Sequence, residues 1–288
     1  MSDSPIRAGE MRPFGKMTVP IVTPELLSLI KTGKVYSLEQ IIEKGIPYWS
    51  GHQPLVISTL LRHGDSSDLY PTSIANELVS LPMHGSTHID ALCHVGKYVG
   101  DDVLIHGGVD AKASQNNNGQ LVYGAENFPP LILRGILLDI AASKGLDVLP
   151  DSYGITGEDF AACEKKQNVQ ITPGTAVLIR TGFQKYWLSD NPRYSSSGAG
   201  PNLDGAHYLV EKGAAVVGSD TEAVEQQPPV GEGLPVHQYL IYENAVTHIE
   251  EVFIDKLAED RVYEFLFICL PLRIKGATGS IVHPIAIC

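Results

Sequence analysis

The densest group of reactive side chains in the sequence runs from position 84 to 94, HGSTHIDALCH, where three histidines and one aspartate fall within a chain of 288 residues and ten histidines. Imidazole nitrogen with carboxylate oxygen is the usual donor set for Zn2+, Mn2+ or Fe2+. A lone histidine is more often a satisfied surface or core residue than a ligand, but here His84, His88, Asp90 and His94 recur at even spacing. On a strand, His88 and Asp90 project to the same side, because side chains alternate with period two. A bend at Gly85–Ser86 brings His84 to the same point. Three protein ligands leave positions for water and substrate, the pattern of a catalytic site. The same alternation turns Cys93 away from His94, so its expected role is core packing rather than nucleophilic attack.

A second cluster follows later: Pro235-Val236-His237, then Glu243, His248, Glu250 and Glu251. Glu250 lies too far beyond His237 for one helical face to carry both, so two elements must converge if both reach a metal. Spacing alone describes ordinary surface charges equally well. His88, Asp90 and His237 also satisfy the H-x-D…H form of the facial triad of a non-haem Fe(II) oxygenase. His84 separates the readings, being redundant in a triad and required in a three-ligand hydrolytic site.

The elements that must hold these groups read as a mixture of short helices and strands. Ser37 and Gln40 form a capping-box pattern before a helix that Gly45 ends. Thr156, with Glu158 and Asp159 behind it, opens a helix to about Lys166. Asp204 caps a helix ending at Gly213, followed by a buried strand over Ala214–Val217. Further strands are expected at Leu55–Leu61, Gly135–Ile140, Ala176–Arg180 and Tyr263–Leu272. The stretches Gln115–Gly119 and Tyr194–Gly200 read as loops, the second mobile. The result is an α/β chain with a well-buried sheet.

Composition narrows the function classes. With 43% hydrophobic residues there is ample core, and 28 glycines with 19 prolines favour strands and loops over long helices. A net charge of −12 disfavours a phosphate backbone as partner, so no nucleic acid is expected. Four scattered cysteines form no C-x-x-C pair, which excludes a zinc ribbon and argues against a disulfide framework. The N-terminal MSDSPIRAGEMRPFG lacks the apolar core of a signal peptide, and no apolar run approaches the ~18 residues of a membrane span. A cytoplasmic protein acting on a small molecule is the expectation, without membrane contact.

HGSTHIDALCH resembles the H-x-G-T-H-x-D-x-P-x-H signature of the cyclase family of metal-dependent hydrolases, which includes kynurenine formamidases, isatin hydrolases and a trans-dienelactone hydrolase. RGILLDIA (134–141), AVLIRTG (176–182), VGSDTEAVE (217–225), PVHQYLIYENAVTHIEEV (235–252) and YEFLFICLPLRIKGATGS (263–280) resemble longer members in the same order. The resemblance implies a swivelling β/β/α fold over residues 51–288. Residues 1–50 then form an N-terminal segment packing on the core or on a partner subunit. It implies His84, His88 and Asp90 as metal ligands and His94 as the catalytic histidine. In members with two ions, Asp90, His237 and Glu250 form the second site. One divalent ion (Mn2+ or Zn2+) is therefore expected, or two, in a homodimer or homotetramer. The activity implied is hydrolysis of an amide, lactam or lactone by a metal-activated water, with His94 moving the proton at an ordinary histidine pKa. A catalytically inactive metal-binding protein on the same fold is the rival, and His94 argues against it. Ser86 and Leu92 depart from the Gly and Pro of the signature. Glu222 stands where longer members often carry an aromatic residue. If it lines the pocket, a more polar or cationic substrate is implied, and Tyr48 and Trp49 are candidates for a stacking wall.

Overall fold

The structure, a computed structural model, describes residues 21–66 and 68–288. The N-terminal stretch examined for a signal peptide lies outside the described residues. Nine strands form the main sheet: β1 (Val35–Ser37), β2 (His88–Asp90), β3 (Leu131–Asp139), β4 (Ala176–Arg180), β5 (Val216–Ser219), β6 (Thr247–Glu250), β7 (Glu264–Cys269), β8 (Gly279–Ile281) and β9 (Ile285–Ile287). Their spatial order is β1-β9-β7-β3-β4-β5-β6-β2-β8. The central strands β3 to β6 run parallel, joined by helical crossovers, and the outer strands pair antiparallel. This is the expected α/β fold with a buried mixed sheet.

The parallel strands are apolar throughout because both faces are covered. Ile136, Leu138, Val177, Ile179 and Val217 pack beneath helices α1 (Gly157–Gln167) and α2 (Leu203–Glu211), against Phe160, Cys163, Ala206 and Leu209. Leu137, Leu178, Val216, Ile89 and Ile249 fill the opposite face. Each such fully buried side chain contributes about 1.5–3 kcal/mol. Helix α1 starts at Thr156 as expected, and the structure adds a capping box there, with Thr156 Oγ1 accepting from Asp159 N and Asp159 accepting from Thr156 N.

Several local expectations are overturned. Residues 38–45 contain no helix: Tyr36, Leu38 and Gln40 are buried in alternation, so the chain continues extended from β1. Gln40 N donates to Thr87 Oγ1 there, an anchor that outweighs the local capping pattern. Asn202, not Asp204, caps α2, and Asp204 instead accepts from Gly157 N at the start of α1. The segment at 194–200 is no mobile loop. Tyr194 is buried in a short helix (Asn191–Ser196) with its hydroxyl donating to the Asp220 carbonyl, and Ala199 and Gly200 are buried beyond it. The strand at Val56–Leu61 lies outside the main sheet, in an exposed hairpin with Asn76–Ser80. Gln115–Gly119 is a tight turn as expected, between two-residue strands.

Val35–Ser37 pairs with the C-terminal strand, and Leu38 and Ile46 are buried, so this part of the first 50 residues packs on the core.

Candidate metal centre and active site

The site is built by strand register. In the antiparallel pair β6–β2, Glu250 lies opposite His88 and Ile249 opposite Ile89. The isoleucines point into the core. His88, Asp90, His248 and Glu250 therefore share the other face, because alternate residues point the same way. Preceding β2, the chain turns through Ser86 at φ 62°, a left-handed conformation, and so presents His84 beside them. On the far side of β2, β8 places Gly279 opposite Asp90. A Cβ at Gly279 would lie 2.6 Å from His84 Cε1, so the glycine makes room for that ring. The last contributor comes from helix α3 (Pro235–His237), which continues as a π-helical segment (Gln238–Glu243). Such insertions often mark functional sites. Val236 and Leu240 bury in the helical core and leave His237 facing the sheet residues.

Two groups that could each hold a metal ion result, sharing Asp90. The donor atoms of His84, His88 and Asp90 lie within 4.8 Å of one another, and so do those of Asp90, His237, His248 and Glu250. His84 Nδ1 is 2.8 Å from Asp90 Oδ1, and its Nε2 is 2.8 Å from Thr278 Oγ1. His88 Nδ1 donates to the Ser86 carbonyl at 2.8 Å, which leaves Nε2 aimed at Asp90 (3.6 Å) and Glu250 (3.3 Å). His237 Nδ1 donates to Glu225 Oε1 at 2.7 Å, directing Nε2 towards Glu250 Oε1 at 3.2 Å. Backbone or carboxylate acceptors behind a histidine are the usual means of fixing a metal-ligating ring. His94 stacks on His84 with centroids 3.9 Å apart, its Nε2 4.0 Å from Asp90 Oδ2. About a third of its side chain, 32%, reaches solvent, whereas His88, His237 and His248 are buried.

Burial and the facing histidines and carboxylates set the electrostatics of the cluster. Burial would lower His88, but Glu250, Asp90 and Glu251 raise it to about 9. His237 is raised in the same way by Glu225 and Glu250. Burial would raise Asp90, but His94, His84 and His88 hold it well below the usual range; Glu250 is lowered by His237 and His88. His88 Nε2, Asp90 Oδ2 and both ring nitrogens of His248 are buried without hydrogen-bond partners. Each such group costs about 1–3 kcal/mol. A divalent ion accepting these donor pairs would satisfy them, and the nitrogen–oxygen donor set suits Mn2+ or Zn2+.

His94 differs from the expectation of an ordinary histidine: burial and the neighbouring His84 and His237 push it down to about 4 despite Asp90. That direction favours the neutral ring, the form that accepts a proton. Burial pushes the Cys93 thiol up to about 12, in keeping with a packing role.

Of the other candidates, Trp49 stands edge-on to His52, which faces His84 at 6.2 Å between centroids, so Trp49 borders the approach to the site. Tyr48 is exposed. Glu222 is held near Glu250 and His88, and burial raises it to about 7; its Oε1 has no partner. Glu243 is turned away, paired with Lys97 at 3.1 Å. Glu225 and the fit of His248 escaped the sequence reading. The two-residue step from His248 to Glu250 was the one available signal for His248, and it needed the knowledge that Thr247–Glu250 is a strand.

Residues 36–226 match the family described as "Putative cyclase", and the chain belongs to that cyclase family. A solved structure described as a novel cyclase superposes with a TM-score of 0.82 at 30% identity, covering 93% of this chain and 94% of that one. Isatin hydrolase A from Ralstonia solanacearum shares the fold, with a TM-score of 0.67 at 19% identity over 94% of this chain and 98% of that one. Cyclase-like protein 3 of Oryza sativa subsp. japonica is 24% identical over 275 residues, 93% of this chain and 84% of that protein.

Proposed function

We propose that this protein is a metal-dependent hydrolase that cleaves an amide, lactam or lactone bond of a small cyclic or aromatic substrate. The observation that carries the reading is the convergence of His84, His88 and Asp90, with His88 Nε2 and Asp90 Oδ2 unpartnered, beside a partly accessible His94. A divalent ion held by those three residues would polarise the scissile carbonyl and lower the pKa of the attacking water. His94 Nε2 accepts the proton of that water and returns it to the leaving nitrogen or oxygen. Asp90, 4.0 Å from His94 Nε2, stabilises the imidazolium formed between the two transfers. Trp49 and His52 offer aromatic surface to a planar substrate, and Glu222 an acceptor for a donor or cationic group on it. The isatin hydrolase on the same fold, named for a cyclic amide substrate, supports this substrate class.

The oxygenase reading uses His88, Asp90 and His237, and leaves His84, His248 and Glu250 without a task. A catalytically inactive metal-binding protein leaves His94 without one. As to setting, the reading is a cytoplasmic homodimer or homotetramer. The exposed apolar residues Ile57, Leu60, Leu78 and Val79 of the hairpin are the surface that association would cover. Among the described residues, no helix is long and apolar enough to cross a membrane.

The direct test is turnover of formyl-kynurenine, isatin, a dienelactone and simple cyclic imides by chelated protein and by protein restored with Mn2+ or Zn2+. Hydrolysis of any one only after restoration is expected. Conversion that requires O2 and Fe2+ would overturn the hydrolytic reading in favour of the oxygenase. Within the panel, Glu222→Gln should raise KM about tenfold, the cost of one lost charged hydrogen bond, with little change in kcat for substrates bearing a donor.

A further inference from the structure

Neither ring nitrogen of His248 has a partner, although the side chain is fully buried. A buried polar group in that state calls for an explanation, since the large majority of buried side-chain polar atoms find a partner. Apolar packing would be served by leucine or isoleucine at the same place. The position is also not neutral in its surroundings: His248 follows Thr247 on β6, lies beside Val217 on β5, and projects from the sheet face that carries Asp90 and Glu250. Its ring stands edge-on to His237 with centroids 4.5 Å apart. Its nearest donor atom is within 4.8 Å of donor atoms of Asp90, His237 and Glu250.

We propose that His248 is the fourth protein ligand of a closed metal position formed with Asp90, His237 and Glu250. This rests on the reading of the cluster as a divalent-metal site, and adds a division of labour to it. Four protein donors complete a tetrahedral set and leave no place for substrate, whereas three leave one open. The position at His84, His88 and Asp90 is then the open one, reached past the partly exposed His94. The position at His248 is sealed, and its ion exchanges slowly and holds Asp90 and Glu250 in place. Glu225 fixes the His237 ring from behind.

The experiment is a metal count on the chelated full chain after equilibrium dialysis against Mn2+, read by elemental analysis and by electron paramagnetic resonance. The native protein should take up two ions per chain with a spin-coupled spectrum. His248→Leu, which keeps the volume and removes the unpartnered nitrogens, should fold at least as stably in the chelated state. It should bind one ion per chain, with the spectrum of isolated Mn2+. His248→Gln serves as the second variant, and there the affinity of the slowly exchanging ion should fall at least tenfold. Saturation of the native protein at one ion, or two ions with unchanged affinity in both variants, would overturn the role of His248. A count of zero ions would instead remove the metal site itself and the hydrolase reading with it, so the two failures are distinguishable.

Discussion

His84, His88 and Asp90 come from seven consecutive residues and keep an opening to solvent through His94, whereas His237, His248 and Glu250 come from a helix and a distant strand and are sealed from it. The first half is positioned by one left-handed turn and one short strand. The second depends on the pairing of β6 with β2 and on the helix that carries His237 across them. Local chain geometry thus suffices for the half where a substrate can arrive. The half that is closed needs the whole sheet. Asp90 and Glu250 join them: Asp90 belongs to both donor groups, and Glu250 points one oxygen at His237 and the other at His88.

The largest expected effect comes from breaking that joint. Asp90→Ala removes the residue shared by both donor groups, and metal content and metal-restored turnover should both fall to background. A variant that kept full metal content would show that Asp90 is not a ligand. Next is His94→Ala, which touches only the open half. It should keep the metal content of the native protein and lose about 10²–10⁴-fold in rate, the usual scale of general acid–base catalysis. Loss of metal along with rate would make His94 a ligand and not a proton carrier. Glu225→Gln acts on the sealed half alone. Loosening the His237 ring should weaken metal binding there by about 10–100-fold and leave the open position unaffected. Equal weakening at both positions would erase the distinction between them. The smallest effect is at Ser86, whose φ of 62° suits glycine better than serine and whose hydroxyl is buried without a partner. Ser86→Gly should raise the unfolding free energy by about 1 kcal/mol, measured by urea unfolding of chelated protein. A destabilised variant would mean that the serine side chain supports the turn.

The contrast between the halves also explains what could be read from the sequence. The HGSTHIDALCH run shows its geometry in the sequence, because His88 and Asp90, two residues apart, share one face wherever the segment is extended. The apolar strands β3, β4 and β7 were equally visible as near-continuous runs, and α1 through Thr156 and the acids of its first turn. Glu225 was not visible, since its role depends on the His237 ring lying beside it in space. The helix expected after Ser37 failed for the same reason. A capping pattern is a local preference, and burial of Leu38 and Gln40 beside Thr87 overrides it. At Val56–Leu61 the sequence indicated a strand but not its sheet, because an apolar strand reads alike in a core and in an exposed hairpin. The Ser86 departure from glycine was visible as a residue type, and only the backbone angle shows what it costs.

The central claim, that this chain hydrolyses its substrate through a metal held by His84, His88 and Asp90, is tested most directly by titrating chelated protein with Mn2+ while recording turnover and bound ions on the same samples. Turnover should be absent from the chelated protein and rise in step with occupancy of the open position, reaching its limit when that position is full. Turnover that persists in protein stripped of metal, or that stays absent for the whole substrate panel at full occupancy, would contradict the account.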